Sequence, residues 1–555
     1  YAFTFQADRQ RAQLRGARVY RANGSVDEAI ESAEGPADDP DLSMYTSART
    51  VYVQFPRLEP GDVVELQYRV DDVGERGEFA GYFGELEYLQ SEEPIGHAEY
   101  VVITPKDRPL YVDAERVPGL KQNVEARGGE QVHVFSADAV PGVNSEPAMP
   151  PWPEVLGFVH VSTYPSYKDL GGWYWGLSRD QLALDGNTRE LVHHIAQGAT
   201  TTAEKVAAVY DWVVKNTRYV ALEFGIYGYK PRASVQTVAR GWGDCKDKAA
   251  VLVSMLGELG IRATMVLVRS GMRGRFHSEV ASLAPFDHAI AYVPELNLYL
   301  DGTAEFSGVH ELPGMDQGAL ALQVNQGDSR LVTLPDHDPA THVKERRVDV
   351  DLASNGSAEL TLAYHTSGAS AAGWRRRYSA EATRRARVQE DLSHEFIGIE
   401  LNDGAGALVM NDLSNFQEPV SLTVHARMPH ALRNEGGAQS LPVTPGERLV
   451  QSFASQPRRE LDVDIGAFPT LDETYRVHLP SGASVASVPA AASGESRFGT
   501  YSVEVQQTAK QVEIHSRLAL SVSRVPPDRY AEFRRFCLAA DAAFEQRLVL
   551  GMPSR

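Results

Sequence analysis

Three residue types that together perform nucleophilic catalysis stand in order along this chain: a thiol at Cys245, an imidazole at His288 and a carboxylate at Asp301. Cys245 lies within Gly243-Asp244-Cys245-Lys246-Asp247-Lys248-Ala249. Ala249, Leu252, Val253, Leu256 and Leu259 follow at helical spacing, so Cys245 opens the core-facing stripe of a predicted helix. Gly243 lets the chain turn sharply, Asp244 is a good N-cap and Gly260 a good stop. At a helix N-terminus, unpaired N–H groups and the positive end of the dipole favour the thiolate, which is the attacking form. Asp244 and Asp247 oppose that effect, and Lys246 and Lys248 offset them. Thiolate formation therefore rests on the helix end and on a cation such as protonated His288. From the helix alone, a buried structural cysteine is the competing reading.

The other two residues must be brought to the thiol by strands. Phe286 to Val293 reads as one strand, Pro294 to Asn297 as a turn and Leu298 to Thr303 as the returning strand. With that turn, Val293 pairs with Leu298 and Ile290 with Asp301. Side chains alternate along a strand, so His288 and Ile290 share a face. His288 and Asp301 become diagonal neighbours, roughly 7–8 Å apart at the backbone, a gap polar side chains can span. A slip of one residue would turn Asp301 to the other face. The register yields a nucleophile, a base and an orienting carboxylate.

With these residues in place, the sequence resembles the transglutaminase-like superfamily, a branch of the papain-like cysteine enzymes. The resemblance is carried by residues 243–249, the helix continuing to Leu259-Gly260-Ile261, and the strand Ala263 to Val268. His288 on the next strand and Asp301-Gly302-Thr303 on the one after complete it. It is closest to bacterial multi-domain proteins in which a β-rich domain of uncharacterised function precedes the core. It implies acyl transfer through a thioester on Cys245, ending in hydrolysis or transamidation of a protein or peptide substrate. It also implies no cofactor, and export to a bacterial periplasm. The family often has an aromatic oxyanion donor upstream of the cysteine, for which Tyr227, Tyr229 and Trp242 are the candidates here. A rival reading is a non-catalytic module that binds a protein or a cell-envelope polymer.

Other residue types are weaker signals. Cys245, His288 and Asp301 could ligate zinc by type, but no second thiolate or histidine pair accompanies them, and no metal site is expected. Arg375, Arg376, Arg377, Arg384, Arg385 and Arg387 form a basic cluster on one predicted helix. A solvated or ion-paired face accounts for them. The adjacent His193 and His194 point apart on a helix. A formal charge of −20 argues against a general nucleic-acid or anionic-membrane binder. Only two cysteines, Cys245 and Cys537, exclude a disulfide framework. No apolar run reaches the ~18 residues needed to span a membrane. The start at Tyr1, without methionine, suggests a processed or trimmed chain.

A chain of 555 residues exceeds one ordinary core. The expected architecture is multi-domain α+β: a papain-like, transglutaminase-like core at 166–340 between β-sandwich-like domains at 1–165 and 341–555. The N-terminal region shows alternating segments around the turn Asn23-Gly24, at Thr50 to Phe55 and at Val63 to Tyr68. The acidic stretch Asp27 to Asp41 is expected to be a mobile loop, and Pro147 to Pro153 a solvated connector. In the core, Thr201 and Glu204 form a capping-box pattern, with Val206, Val209, Tyr210 and Val213 on one face. The last region opens with a hairpin around Asn355-Gly356 and closes with a helix predicted from Pro527 to Leu550. Cys537 lies on the apolar face of that helix.

Overall fold

A computed structural model describes residues 1–36, 48–73, 77, 81–221, 228–404, 406–435, 438–444 and 446–551. It is a mixed α/β, multi-domain structure with a helix near its C-terminal end. The N-terminal part is built from small antiparallel sheets, two of which join Gln10–Tyr20 to Val26–Glu28 and Ala48–Gln54 to Glu31–Pro36. The expected mobile acidic loop is therefore corrected over residues 27–36, where two short strands run; residues 37–41 lie outside the described residues. Short, charged, solvent-facing segments suit sheet edges, where water satisfies the outward backbone groups and charge deters a further strand.

Phe158–Ser162, buried at every residue, pairs with Gly84–Tyr88 and Tyr111–Glu115 and ties this region to the core. Both His160 ring nitrogens reach serines of the core, Ser278 at 2.8 Å and Ser282 at 2.7 Å, and Ser162 Oγ donates to Ala281 O at 2.6 Å. The proline-rich segment before it is less free than expected. Trp152–Val155 forms one helical turn, and Glu146 and Ala148 are held by Arg459 and Asp464 of the C-terminal part.

The core has a five-stranded antiparallel sheet in the order Leu298–Leu300, His288–Val293, Thr264–Arg269, Leu320–Gln323 and Arg330–Thr333. The register is the one expected from the turn: Val293 faces Leu298 and Ala291 faces Leu300, so Asp301 follows directly at the end of its strand. The helix Cys245–Glu258 packs on this sheet and against Thr202–Asn216, whose capping box of Thr201 and Glu204 is formed. The cysteine helix is more enclosed than one stripe implies. Every residue from Cys245 to Leu256 is buried, because sheet and helices surround it.

The C-terminal part holds a nine-stranded mixed sheet, in which Val343–Leu352 runs parallel to Thr470–His478. The expected hairpin is present, pairing Val343–Leu352 with Ala358–Thr366. The long helix runs over Pro527–Phe544 and stops short of the expected end. Arg547–Gly551 is instead a strand, because Leu548 and Leu550 alternate inward with period two and pair into a small sheet. The arginine cluster is divided between two helices, Ala369–Tyr378 and Glu381–Glu395. Arg375 is buried against Glu311 and Arg377 pairs with Asp391, which gives the ion-paired reading its partners.

Candidate active site

The cysteine helix begins as its sequence dictates. Asp244 accepts from Asp247 N at 3.1 Å, and the Asp247 side chain returns to Asp244 N, closing a capping box. Gly243 is required there: a Cβ would come within 2.7 Å of Asp247 Cβ and 2.9 Å of Thr237 Cγ2. The two acidic residues that opposed a thiolate are both matched by cations. Lys246 Nζ lies 2.9 Å from Asp244, while Arg232 and Arg240 approach Asp247 at 3.2 and 2.8 Å. Neither arginine was singled out in the sequence, because each comes from a segment whose approach to Asp247 is set by packing. Lys248 does not face its neighbouring acids; its Nζ donates to Thr217 O at 2.6 Å, and burial lowers its pKa to about 8.

His288, at the start of its strand, lines the same cleft as Cys245, and the thiol is one of the groups that raise its pKa. Its Nε2 faces Asp301 Oδ1 at 3.4 Å and Asp316 Oδ1 at 3.9 Å. The 3.4 Å separation is that of a close ion pair rather than a tight hydrogen bond. Asp301 Oδ1 also accepts from Thr303 N at 2.8 Å and Thr303 Oγ1 at 2.7 Å, so the Asp-Gly-Thr turn holds the carboxylate still. Gly302 permits that turn to lie on the cysteine helix, since a Cβ would stand 3.2 Å from Lys248 Cβ and 3.2 Å from Leu252 Cδ1. Tyr210 Oη donates to the Asp301 carbonyl at 3.2 Å.

Burial, the largest single influence, would lower the His288 pKa, but Asp301 by charge and proximity, helped by Cys245 and Asp316, together outweigh it and the value is raised well above the ordinary range. Burial would raise Asp301, and here His288 and the Thr303 donors prevail, so it is depressed. Cys245, His288 and Asp301 thus meet at one buried point.

Sequence reasoning missed Asp316. It is fully buried in a loop, with its carboxyl pushed up to about 8 by burial and by Asp301. His288, Asp301 and Asp316 present donor atoms within 4.8 Å of one another, a set that could hold a metal ion. The local sequence Glu311-Leu312-Pro313-Gly314-Met315-Asp316 shows only a Pro-Gly turn.

The thiol opens on a cleft of about 220 Å³ walled by Tyr174, Tyr229, Leu267, Leu283 and Phe286, with Lys246, Arg273 and Asp287 as charged members. Tyr229 is half exposed, and its carbonyl accepts from Tyr174 Oη at 2.8 Å. Trp242 is elsewhere: its ring is covered by the Arg240 guanidinium at 3.9 Å, and it does not line the cleft. Tyr227 lies outside the described residues.

Residues 189–282 match the transglutaminase-like superfamily. Residues 1–144 match a domain of unknown function with a solved structure (DUF3857), and residues 440–550 match another (DUF3858). A comparison with curated proteins finds no match. Among solved structures, a candidate protease from Parabacteroides distasonis superposes with a TM-score of 0.68 at 15% identity. The match covers 99% of this chain and 91% of that one, and it shows a shared fold. A candidate cysteine protease from Cytophaga hutchinsonii matches 40% of this chain and 79% of its own at 15% identity. Its TM-score of 0.19 supports no structural comparison. Residues 189–282 at the centre of this chain are therefore similar to the transglutaminase-like superfamily, between regions that match DUF3857 and DUF3858.

Proposed function

We propose that this protein is a thiol-dependent acyl-transfer enzyme acting on a carboxamide or peptide bond of a protein or peptide. The observation that carries the reading is that Cys245 and His288 are buried in one cleft, with the imidazole facing Asp301 at 3.4 Å. In this reading Cys245 Sγ attacks the carbonyl carbon and forms a tetrahedral oxyanion. The Cys245 N–H at the helix end meets the oxyanion, since the Asp244 cap is directed at Asp247 N instead. Tyr229, on the cleft wall, is our choice for the second donor; Trp242 is occupied with Arg240. His288 protonates the leaving amine, the thioester remains on sulfur, and water or an amine then takes the acyl group. Asp301 holds the imidazole in orientation and balances its charge.

A cleft of about 220 Å³ is smaller than the usual small-molecule pocket and suits one side chain of a longer substrate. We take the chain to divide at 1–165, 166–340 and 341–555, with the flanking parts supporting the core. We also propose export to a bacterial periplasm, where a chain with only two cysteines invites few wrong disulfides. No helix among the described residues is long and apolar enough to cross a membrane.

The test is iodoacetamide labelling of Cys245, read by peptide mass spectrometry, with and without His288→Ala. Fast labelling at mildly acidic pH that collapses in the variant supports the reading. A Cys245 that labels like a thiol of the unfolded chain, with or without His288, would point to the binding-module alternative.

A further inference from the structure

The buried carboxyl of Asp316 has no part in the triad chemistry described above, yet it faces the same ring nitrogen as Asp301. Its Oδ1 lies 3.9 Å from His288 Nε2, and it stands within 4.8 Å of the Asp301 ligand atom. Among the described residues, neither Asp316 oxygen accepts a hydrogen bond. An ionised carboxylate so placed would be buried without a donor and set beside a second carboxylate, which is doubly costly. A neutral acid in the same place has an O–H and an acceptor within reach, the Asp301 carboxylate.

The loop is built to hold it there. Asp316 N donates to Pro313 O at 2.9 Å, Ala319 N to Asp316 O at 3.2 Å, and Gly271 N to Met315 O at 2.6 Å. The groups that act on Asp316 come from several elements. They are His288 and Asp287 at the head of the histidine strand and Asp301 on the turn, with Tyr210 on the neighbouring helix. Cys245 acts through His288.

We propose that Asp316 is a positioning residue for His288: as a neutral acid it donates to Asp301, so the imidazolium faces one shared negative charge rather than two. This rests on the catalytic reading above. With two full charges beside it, His288 would hold its proton too firmly to pass it to a leaving amine. Without the acid, Asp301 would lose the donor on its outer side. The upward displacement of the Asp316 carboxyl agrees with that protonation state. The same three side chains suit a metal ion by type, but Asp301 Oδ1 already accepts twice from Thr303, which favours the shared proton.

The experiment follows the iodoacetamide rate at Cys245 from pH 5 to 9 in wild type, Asp316→Asn and Asp316→Leu, with thermal midpoints on the same samples. Asn stays neutral and keeps an N–H for Asp301. We expect it to stay within about threefold of wild type near pH 6, and Leu to fall by at least about tenfold, as removal of outer-layer partners commonly does. Wild type should show an inflection near pH 8, where Asp316 ionises, and Asn should lack it. An inflection that persists in Asn, or a folded Leu variant with wild-type rate and profile, overturns the proposal; if Leu does not fold, the Asn profile decides. A thermal midpoint raised by zinc in wild type but not in Leu would assign the cluster to a metal and overturn the shared proton. Wild-type Cys245 that reacts like an unactivated thiol overturns the functional reading and this inference with it. A reactive, His288-dependent Cys245 that ignores both Asp316 variants overturns this inference alone.

Discussion

The two cysteines of this chain are both buried on helices, and their surroundings differ in almost every other respect. Cys245 occupies the first position of its helix and shares its cleft with His288, whose ring faces two buried carboxyls. Cys537 lies mid-helix among Tyr530, Phe533 and Ala540, in the apolar core of the C-terminal part. Burial pushes its thiol up to about 12. The comparison teaches that burial alone silences a thiol. In the proposed reading, a helix end with its orphan N–H groups, together with a cation held by carboxylate, offsets the cost of desolvating a thiolate.

The largest expected effect removes the carboxylate from the active pair. Asp301→Ala should lower amide turnover by about 10⁴-fold, as triad carboxylate replacements do. The variant should lose only about 1–3 kcal/mol of stability, for the Thr303 donors left without an acceptor. Steady-state kinetics beside urea melts separate the two; a stability loss with intact turnover would remove Asp301 from the mechanism.

Next comes the reactivity ratio of the two thiols. A thiol at about 12 carries roughly 10³-fold less thiolate at neutral pH than an ordinary cysteine. Alkylation of Cys537 in folded protein should therefore trail that of Cys245 by at least that factor. Denaturation should erase the difference. Similar rates in the folded state would break the comparison outright.

The pair should also leave a mark on stability against pH. Asp301 is depressed when folded, so its contribution is present above its unfolded value near 3.8 and is lost as pH falls through the folded one. His288 is raised, so its contribution is complete below its unfolded value near 6.5 and is lost as pH rises through the folded one. Thermal midpoints of wild type against Asp301→Asn should diverge most between these limits and converge below pH 3.8. Parallel curves would show that the pair is not charged in the folded protein.

The smallest effect is on the silent cysteine. Cys537→Ser places a hydroxyl in an apolar core and should cost about 1–3 kcal/mol in a urea melt. Alkylation of Cys245 should be unaffected. A change there would mean that the two regions are coupled.

Much of the site was legible because its parts obey local rules. A Gly-Asp before an apolar stripe marks a helix start, so Cys245 could be placed at N1 from neighbours in sequence. A four-residue turn between alternating strands sets their register, so His288 and Asp301 could be put on one face before any contact was known. Element ends were less legible. The final helix was extended through Leu548 and Leu550, because two leucines separated by one residue fit a short helical stripe almost as well as a strand. Only pairing with a distant strand decided between them.

The sequence by itself therefore determined the order of thiol, imidazole and carboxylate, the helix end that presents the thiol, and the register that joins the other two. Tertiary structure decided what surrounds them. It brought Arg232 and Arg240 onto Asp247, and left Tyr229 rather than Trp242 on the cleft wall. It also carried Asp316 from an irregular loop to within 3.9 Å of His288. The reason is physical: capping and strand alternation follow from backbone geometry over a few residues. The charge balance of a buried site depends instead on which distant loops the packed core admits.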